Sequence, residues 1–511
     1  MKNYIALCYG SISFFINILH NIFLIYHVDV FLNVYKIDKT SFWVGEIIFL
    51  IWNSLNDPIF GWISDRKYLS NDHEKNNSFN IIANRLNKLH INGPLLSITF
   101  IFFWLSWSFP AIQFVVCLCL YDGFLTMIDL HHSALLADLS ISTEIRTKLN
   151  MHCSVFSALG SMFVFVSYAV WDKDNFFPFQ KFCFLVAIIA FFGFYASVKL
   201  MKNELKHSTI HEKIDELDEA TTATTTLMRD NKDAMKCFIK QLSGQSNFLW
   251  FTAMNLVQVF HCHFNSNFFP MFLTVLLGEK TSPFVCSLLL GVSFIAPHLN
   301  NIYFLILCRK YGAYDVIKYL FILKLSFAIL VFFCGGQNVW LLAFFIASNR
   351  IFTEGTCKLL NLVITDLVDE DVVINQRSNS VSALMFGVVA FLSKPGQTMA
   401  PVIGTVLLST FTGRDIFQTR TNEMRGVKNI DIISLNHQVD DNGNVPNIAH
   451  NSDTAYTNQE NSYQDGVFNL LIIVPVMCAI LQLFFWFNFT LHGKKLSQIK
   501  TLRASLKFVS V

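Results

Sequence analysis

Apolar residues in this chain gather into blocks about as long as a bilayer is thick, separated by short polar connections. The blocks run over 4–33, 42–63, 93–109, 111–136, 150–171, 178–200, 247–275, 283–307, 313–335, 339–365, 379–410 and 467–491, and each predicts a transmembrane helix. The third is short, and Pro110 marks a tight turn into the fourth. The first lacks a small-residue cleavage site and is too long for a signal-peptide core, so it too reads as a span. The expected fold is an all-α membrane protein of twelve transmembrane helices in two six-helix halves. The first half covers 1–201, helices 7–11 lie in 246–410, and helix 12 lies in 466–492.

Two longer polar stretches punctuate this order. Residues 202–245 are polar and threonine-rich, which predicts a partly disordered central loop between the halves. Residues 411–465 are rich in Asn and Asp, carry no N-x-[ST] sequon, and predict an extracellular loop; 493–511 predict a tail. Basic residues favour one side. Arg66, Lys67, Lys75, Arg85 and Lys88 follow the second block, Arg146 and Lys148 the fourth, Arg309 and Lys310 the eighth, and five Lys or Arg lie in the tail. That bias predicts both termini in the cytoplasm. The halves also echo each other: Asp138 and Asp366, each in an Asp-Leu pair, precede Arg146 and Arg377 by two to three turns.

Composition agrees with the pattern. Of 511 residues, 53% are hydrophobic and 14% charged, against about one-quarter charged in soluble domains. The net charge of +2 comes with no basic tract, so no nucleic-acid partner is expected. Most of the twelve cysteines sit inside apolar blocks with no C-x-x-C pair and read as small buried hydrophobes. No phosphate-binding glycine loop or hydrolase elbow is present, so no enzyme and no cofactor are expected. His261 and His263 fall on different helix faces, and no metal site is expected.

The informative residues are polar ones inside apolar blocks, where an ionisable group costs several kcal/mol unless paired or wetted and marks a pathway. In "IWNSLNDPIFGWISDRK" (51–67), Asn53 and Asp57 share a helix face, with Asn56 beside them. In the fourth block Asp122, Thr126 and Asp129 share a face, with His131 and His132 near the helix end, where they cap or snorkel. Arg350, Glu354 and Lys358 form a ladder of alternating sign at i+4 steps, which serves helix packing or a solute, as does Asn17. Lys394 stands before Pro395-Gly396. Asp57, Asp129, Asn53 and Thr126 together predict an oxygen-rich site for Na⁺ or H⁺, with Lys394 as counter-charge when the site is empty. Gly61 permits close helix approach. Asp65 is placed to accept from backbone donors or a basic group of the other half and latch the inside, with Arg66 beside it.

At these residues the chain resembles a known family. Gly61-x-x-x-Asp65-Arg66 resembles the loop motif of the major facilitator superfamily. "WNSLNDPIFGW", "TMIDLHHSALLADLS" and "LVITDLVDEDVVINQR…FLSKPGQTMA" resemble the second-, fourth- and tenth-to-eleventh-helix motifs of its glycoside–pentoside–hexuronide cation symporters. The resemblance implies a cation-site carboxylate at Asp57, its threonine and aspartate partners at Thr126 and Asp129, and its lysine at Lys394. It also departs. Asn53 replaces a companion carboxylate, Asn17 and Ser154 stand neutral near the sugar-binding acid and arginine, and His131 replaces a proline.

The expectation is therefore a monomeric secondary transporter that moves a small organic solute by alternating access, coupled to a cation or proton. It would lie in a lipid bilayer, with the plasma membrane as default. Two other readings stand beside it: a scaffold or sensor that kept the fold, and a lysolipid-type carrier.

Overall fold

The computed structural model describes residues 3–69, 78–172, 175–212, 231–278, 280–334, 338–377, 379–412 and 449–509, nearly all of them helical. The first half comprises α1 (Asn3–Asp29, continued by a π-helical turn Val30–Val34), α2 (Lys39–Leu69), α3 (Ser78–Phe102), α4 (Pro110–Asp138), α5 (Thr143–Ser161), α6 (Phe163–Val170) and α7 (Phe177–Glu212). The second comprises α8 (Asn231–Ser243), α9 (Ser246–Met271, continued by a π-helical turn Phe272–Leu277), α10 (Pro283–Tyr311), α11 (Ala313–Cys334), α12 (Val339–Ile374), α13 (Ser382–Thr412), α14 (Ala449–Asn488) and α15 (Gly493–Val509).

Local chemistry sets several ends. Pro110 and Pro283 open α4 and α10, where a missing N–H costs nothing. The Asn338 side chain caps α12 by accepting from the Leu341 N–H at 3.1 Å. Gly312, at φ 87°, ends α10 in a conformation that suits only glycine well.

Each predicted span falls on a helix, the fifth on the broken pair α5–α6. Among the described residues, six stretches are long and apolar enough to cross a membrane by composition alone; they lie on α1, α4, α5–α6, α7, α11 and α14. The helices α2, α3, α9, α10, α12 and α13 fall short on that measure and carry most of the buried polar side chains among the described residues. Large exposed apolar side chains such as Ile47, Ile51, Phe192, Phe333 and Trp340 supply the lipid-facing surface.

Three expectations need correction. The third helix begins at Ser78 rather than 93 and stops at Phe102, so Arg85 and Lys88 are helical, not loop. The central loop is shortened: α7 runs to Glu212 and α8 lies within 202–245, with 213–230 outside the described residues. The 411–465 loop yields its end to α14, with 413–448 outside the described residues, and the tail forms α15.

The halves meet chiefly through α2 against α13 and α5 against α10, with α4 and α12 adding contacts. The α2–α13 approach is at backbone distance. A Cβ on Gly61 would lie 2.9 Å from the Ala383 carbonyl oxygen, and one on Gly387 would lie 2.6 Å from that of Asp57. Gly387→Ala is therefore expected to force these helices apart and cost about 1–3 kcal/mol, read as a lower melting temperature of the purified protein. A variant that melts with wild type would mean the helices do not touch here.

Candidate functional site

Two layers of polar contact join the halves, one at mid-helix and one at the end of the bundle carrying the α2–α3 and α12–α13 connections. The first centres on Lys394 of α13. Its ammonium forms an ion pair with Asp57 of α2 and donates to the Asn53 backbone carbonyl, to Asn53 Oδ1 at 2.6 Å and to Asn56 Oδ1 at 3.2 Å. Asn56 passes the network on, donating to Asp122 Oδ2 at 2.5 Å and Thr126 Oγ1 at 3.1 Å, both in α4. Asp57, Asn56 and Thr126 are buried. Proline follows both charged partners, Pro58 after Asp57 and Pro395 after Lys394, so each helix lacks a backbone N–H one residue beyond its charge.

Of the residues expected at a cation site, the structure brings Asn53, Asp57, Thr126 and Lys394 together and adds Asn56 and Asp122. Asp129 stands apart: it makes no hydrogen bond or ion pair in this cluster, and Asp122 takes the position beside Asn56. The ladder of α12 opens differently from a self-neutralised one. Arg350 Nε is 4.0 Å from Glu354 and its guanidinium lies over Phe269, Glu354 accepts from Ser266, and Lys358 reaches His298 of α10 at 2.7 Å. Asn17 donates to Ser157 at 3.0 Å and bridges α1 to α5. His131 and His132 neither cap nor snorkel. Both are buried, and His132 stacks on Tyr9 while its Nε2 lies 3.0 Å from the Tyr9 carbonyl oxygen, joining α4 to α1.

The second layer is a pair of reciprocal ion clusters. Asp65, fully buried, accepts from Arg85 Nη1 at 2.6 Å and from the Leu384 backbone N–H at 2.9 Å, so an acid of one half caps the N-terminus of α13 in the other. Arg85 also donates to Ser64, Asp138 and Ser382. Asp138, ending α4, accepts from Ser380 and Ser382. In mirror fashion Asp369, near the end of α12, accepts from Arg146 of α5 at 2.6 and 3.1 Å. Arg503 of α15 pairs with the same acid at 2.6 Å, and Lys500 reaches Asp366 at 2.8 Å. Burial raises the Asp65 carboxyl from its ordinary value against the opposing pull of Arg85. Burial likewise raises Asp366, against Lys500 and Arg146.

Asp65 thus finds the expected backbone donor, in the other half, but its basic partner Arg85 belongs to its own half and not to the other half as expected. Gly61 makes the expected close approach. Arg66 is exposed and takes no part in either cluster. Arg85, Asp369 and Arg503 join these clusters without a motif in the sequence that marks them as site residues. The signal for Arg85 lay in Ile81, Leu86 and Leu89, whose helical spacing extends α3 upstream of its apolar block.

The chain as a whole is similar to known proteins. Transmembrane protein 180 of Gallus gallus is 50% identical over 505 residues, covering 98% of this chain and 95% of its own length. Its Mus musculus counterpart is 48% identical over 510 residues, with coverage of 98% and 95%. Among solved structures, a bacterial homologue of the iron transporter ferroportin in an outward-facing state with soaked iron superposes with a TM-score of 0.58 at 11% identity. It covers 95% of this chain and 99% of its own. A single-site variant of the E. coli fucose:proton symporter FucP superposes at 0.55 and 11% identity, covering 95% and 98%. Both share the fold. The sequence model of the family described as MFS/sugar transport protein matches residues 8–430, and the chain belongs to that family of the major facilitator superfamily.

Proposed function

We propose that this protein is a secondary active transporter that moves a small solute across a membrane by alternating access, coupled to Na⁺ or H⁺. The observation that carries the reading is Lys394 of one half seated against Asp57, Asn53 and Asn56 of the other. Lys394 is partly buried and Asp57 buried, so each needs the other: removing one partner leaves the remaining charge uncompensated and costs up to about 3–5 kcal/mol. A cation or proton that neutralises Asp57 takes the place of the ammonium and frees α13 from α2 at mid-helix. Asp122, Asn56 and Thr126 supply further oxygens around the entering cation. When the cation leaves, Lys394 returns and restores the inter-half tie.

The ion clusters then act as the gate on one side. Their end of the bundle carries the basic connections, which the positive-inside rule assigns to the cytoplasm. With that gate shut, the conformation is outward-facing, in keeping with the outward-facing state of the ferroportin homologue. Rocking of one half against the other would break the Asp65–Leu384 and Arg146–Asp369 ties and open the inner side.

Two measurements test this. Purified wild-type protein should gain several degrees in melting temperature with Na⁺, or change it with pH, and Asp57→Asn should abolish that response. An unchanged ion and pH response in Asp57→Asn removes the coupling assignment. Asp57→Asn combined with Lys394→Met should destabilise less than the sum of the two single changes, because the pair goes as a unit. For the gate, Asp369→Asn should raise the labelling rate of a cysteine placed at the buried Ser382 by a membrane-impermeant maleimide applied from the cytoplasmic side. Equal labelling in both backgrounds would show that the Arg146–Asp369 tie does not hold the gate.

A further inference from the structure

The cation switch leaves a second set of charges at the same depth without a task. Asp129 in α4 is exposed although its neighbours Ile128 and Leu130 are buried. The charged groups acting on its carboxylate are Asp57 and Asp122, then Lys358 of α12 and Lys394 of α13, so this exposed face opens onto the gap between the halves rather than onto lipid. Among the described residues the Asp129 side chain has neither a hydrogen bond nor an ion pair. Lys358 makes no ion pair either. Its ammonium donates to His298 Nδ1 at 2.7 Å, and His298 Nε2 in turn lies 3.2 Å from Ser161 Oγ of α5. That chain fixes the histidine as a neutral ring with its proton on Nε2, and it holds Lys358 back on its own side of the gap.

Depth agrees. Asp129 lies nine residues before Asp138 on α4, and Lys358 eight residues before Asp366 on α12, which places both about 12–14 Å above the gate. Here neither the acid nor the base is in an ion pair; the acid that acts on Lys358 is Glu354, one turn earlier on α12, and Glu354 is itself engaged with Arg350 and Ser266.

We propose that the solute bound between the halves is a small zwitterion, whose cationic group meets Asp129 and whose anionic group meets Lys358. This rests on the transport reading above. A neutral sugar would leave both charges uncompensated in a desolvated cavity, a simple cation would leave Lys358 so, and a simple anion would leave Asp129 so. A zwitterion compensates both and adds no net charge to the site, so its binding is independent of the charge exchanged between Asp57 and Lys394. The sugar-type carboxylate and arginine positions, held here by Asn17 and Ser154, are already engaged with other protein groups: Asn17 donates to Ser157, and Ser154 accepts from Asn301.

The test uses the full-length purified protein and a panel of probes. Glycine, 4-aminobutyrate, 6-aminohexanoate and glycine betaine vary the charge separation. Butylamine, butyrate and melibiose supply the single-charge and neutral controls. At least one zwitterion should raise the melting temperature by a few degrees in a concentration-dependent way, while the controls at equal concentration do not. Asp129→Asn and Lys358→Met should each lose that shift, and Lys358→Arg, which keeps the charge and guards against a mere folding defect, should retain it. Lys358→Met should keep the Na⁺ or pH response that Asp57→Asn abolishes. If no zwitterion shifts the melt while the ion response persists, the zwitterion assignment fails and the transport reading stands. A sugar-induced shift that survives Lys358→Met would also overturn it. If Asp57→Asn leaves the ion response unchanged, the coupling falls instead, whatever the zwitterions do.

Discussion

The contact of α2 with α13 is the constraint on which the rest of the structure depends. Two glycines, Gly61 and Gly387, let the backbones touch across the boundary between halves. That approach lets Lys394 reach over to Asp57 and lets Asp65 accept the N–H of Leu384. Without it, a lysine and two aspartates would each be stranded in a low-dielectric interior. Their pairing is better understood as specifying one arrangement of the halves than as adding net stability, because desolvation offsets much of the attraction in a buried pair.

How the two layers are built explains why sequence reveals one better than the other. Asp57 and Lys394 announced themselves because each interrupts an apolar block, where an unpaired charge is costly. Their meeting could be expected from sign alone. Asp122 and Asp129 could not be ranked that way: seven residues apart on α4, they share a face, and only the position of Asn56 decides which one joins the network. Arg85 was obscured for a different reason. The first turns of α3 are amphipathic rather than apolar, so a reading by hydropathy starts the helix too late and leaves the arginine in a loop. The tie from Asp65 to Leu384 joins residues 319 apart in sequence and uses a main-chain donor, which no side-chain pattern can disclose.

The end layer is built by reciprocal exchange. Asp138 at the end of α4 receives the start of α13, and Asp369 near the end of α12 receives the start of α5. The weak echo between the halves in sequence thus corresponds to a physical trade, in which each half lends an acid to the other. The trade is not symmetric in strength. One side uses serine hydroxyls, and the other a bidentate arginine reinforced by Arg503 from α15.

The separation of the two layers has a mechanical consequence. They sit on the same two helices, about 12 Å apart along the axis. If the lysine's level serves as the fulcrum, a rigid rotation of about 15° displaces the far layer by about 3 Å. That travel doubles the length of a hydrogen bond such as the 2.9 Å one at Leu384, while atoms at the fulcrum scarcely move. Leverage of this kind would allow a sub-ångström event around one ammonium group to decide whether an entire face of the molecule admits water.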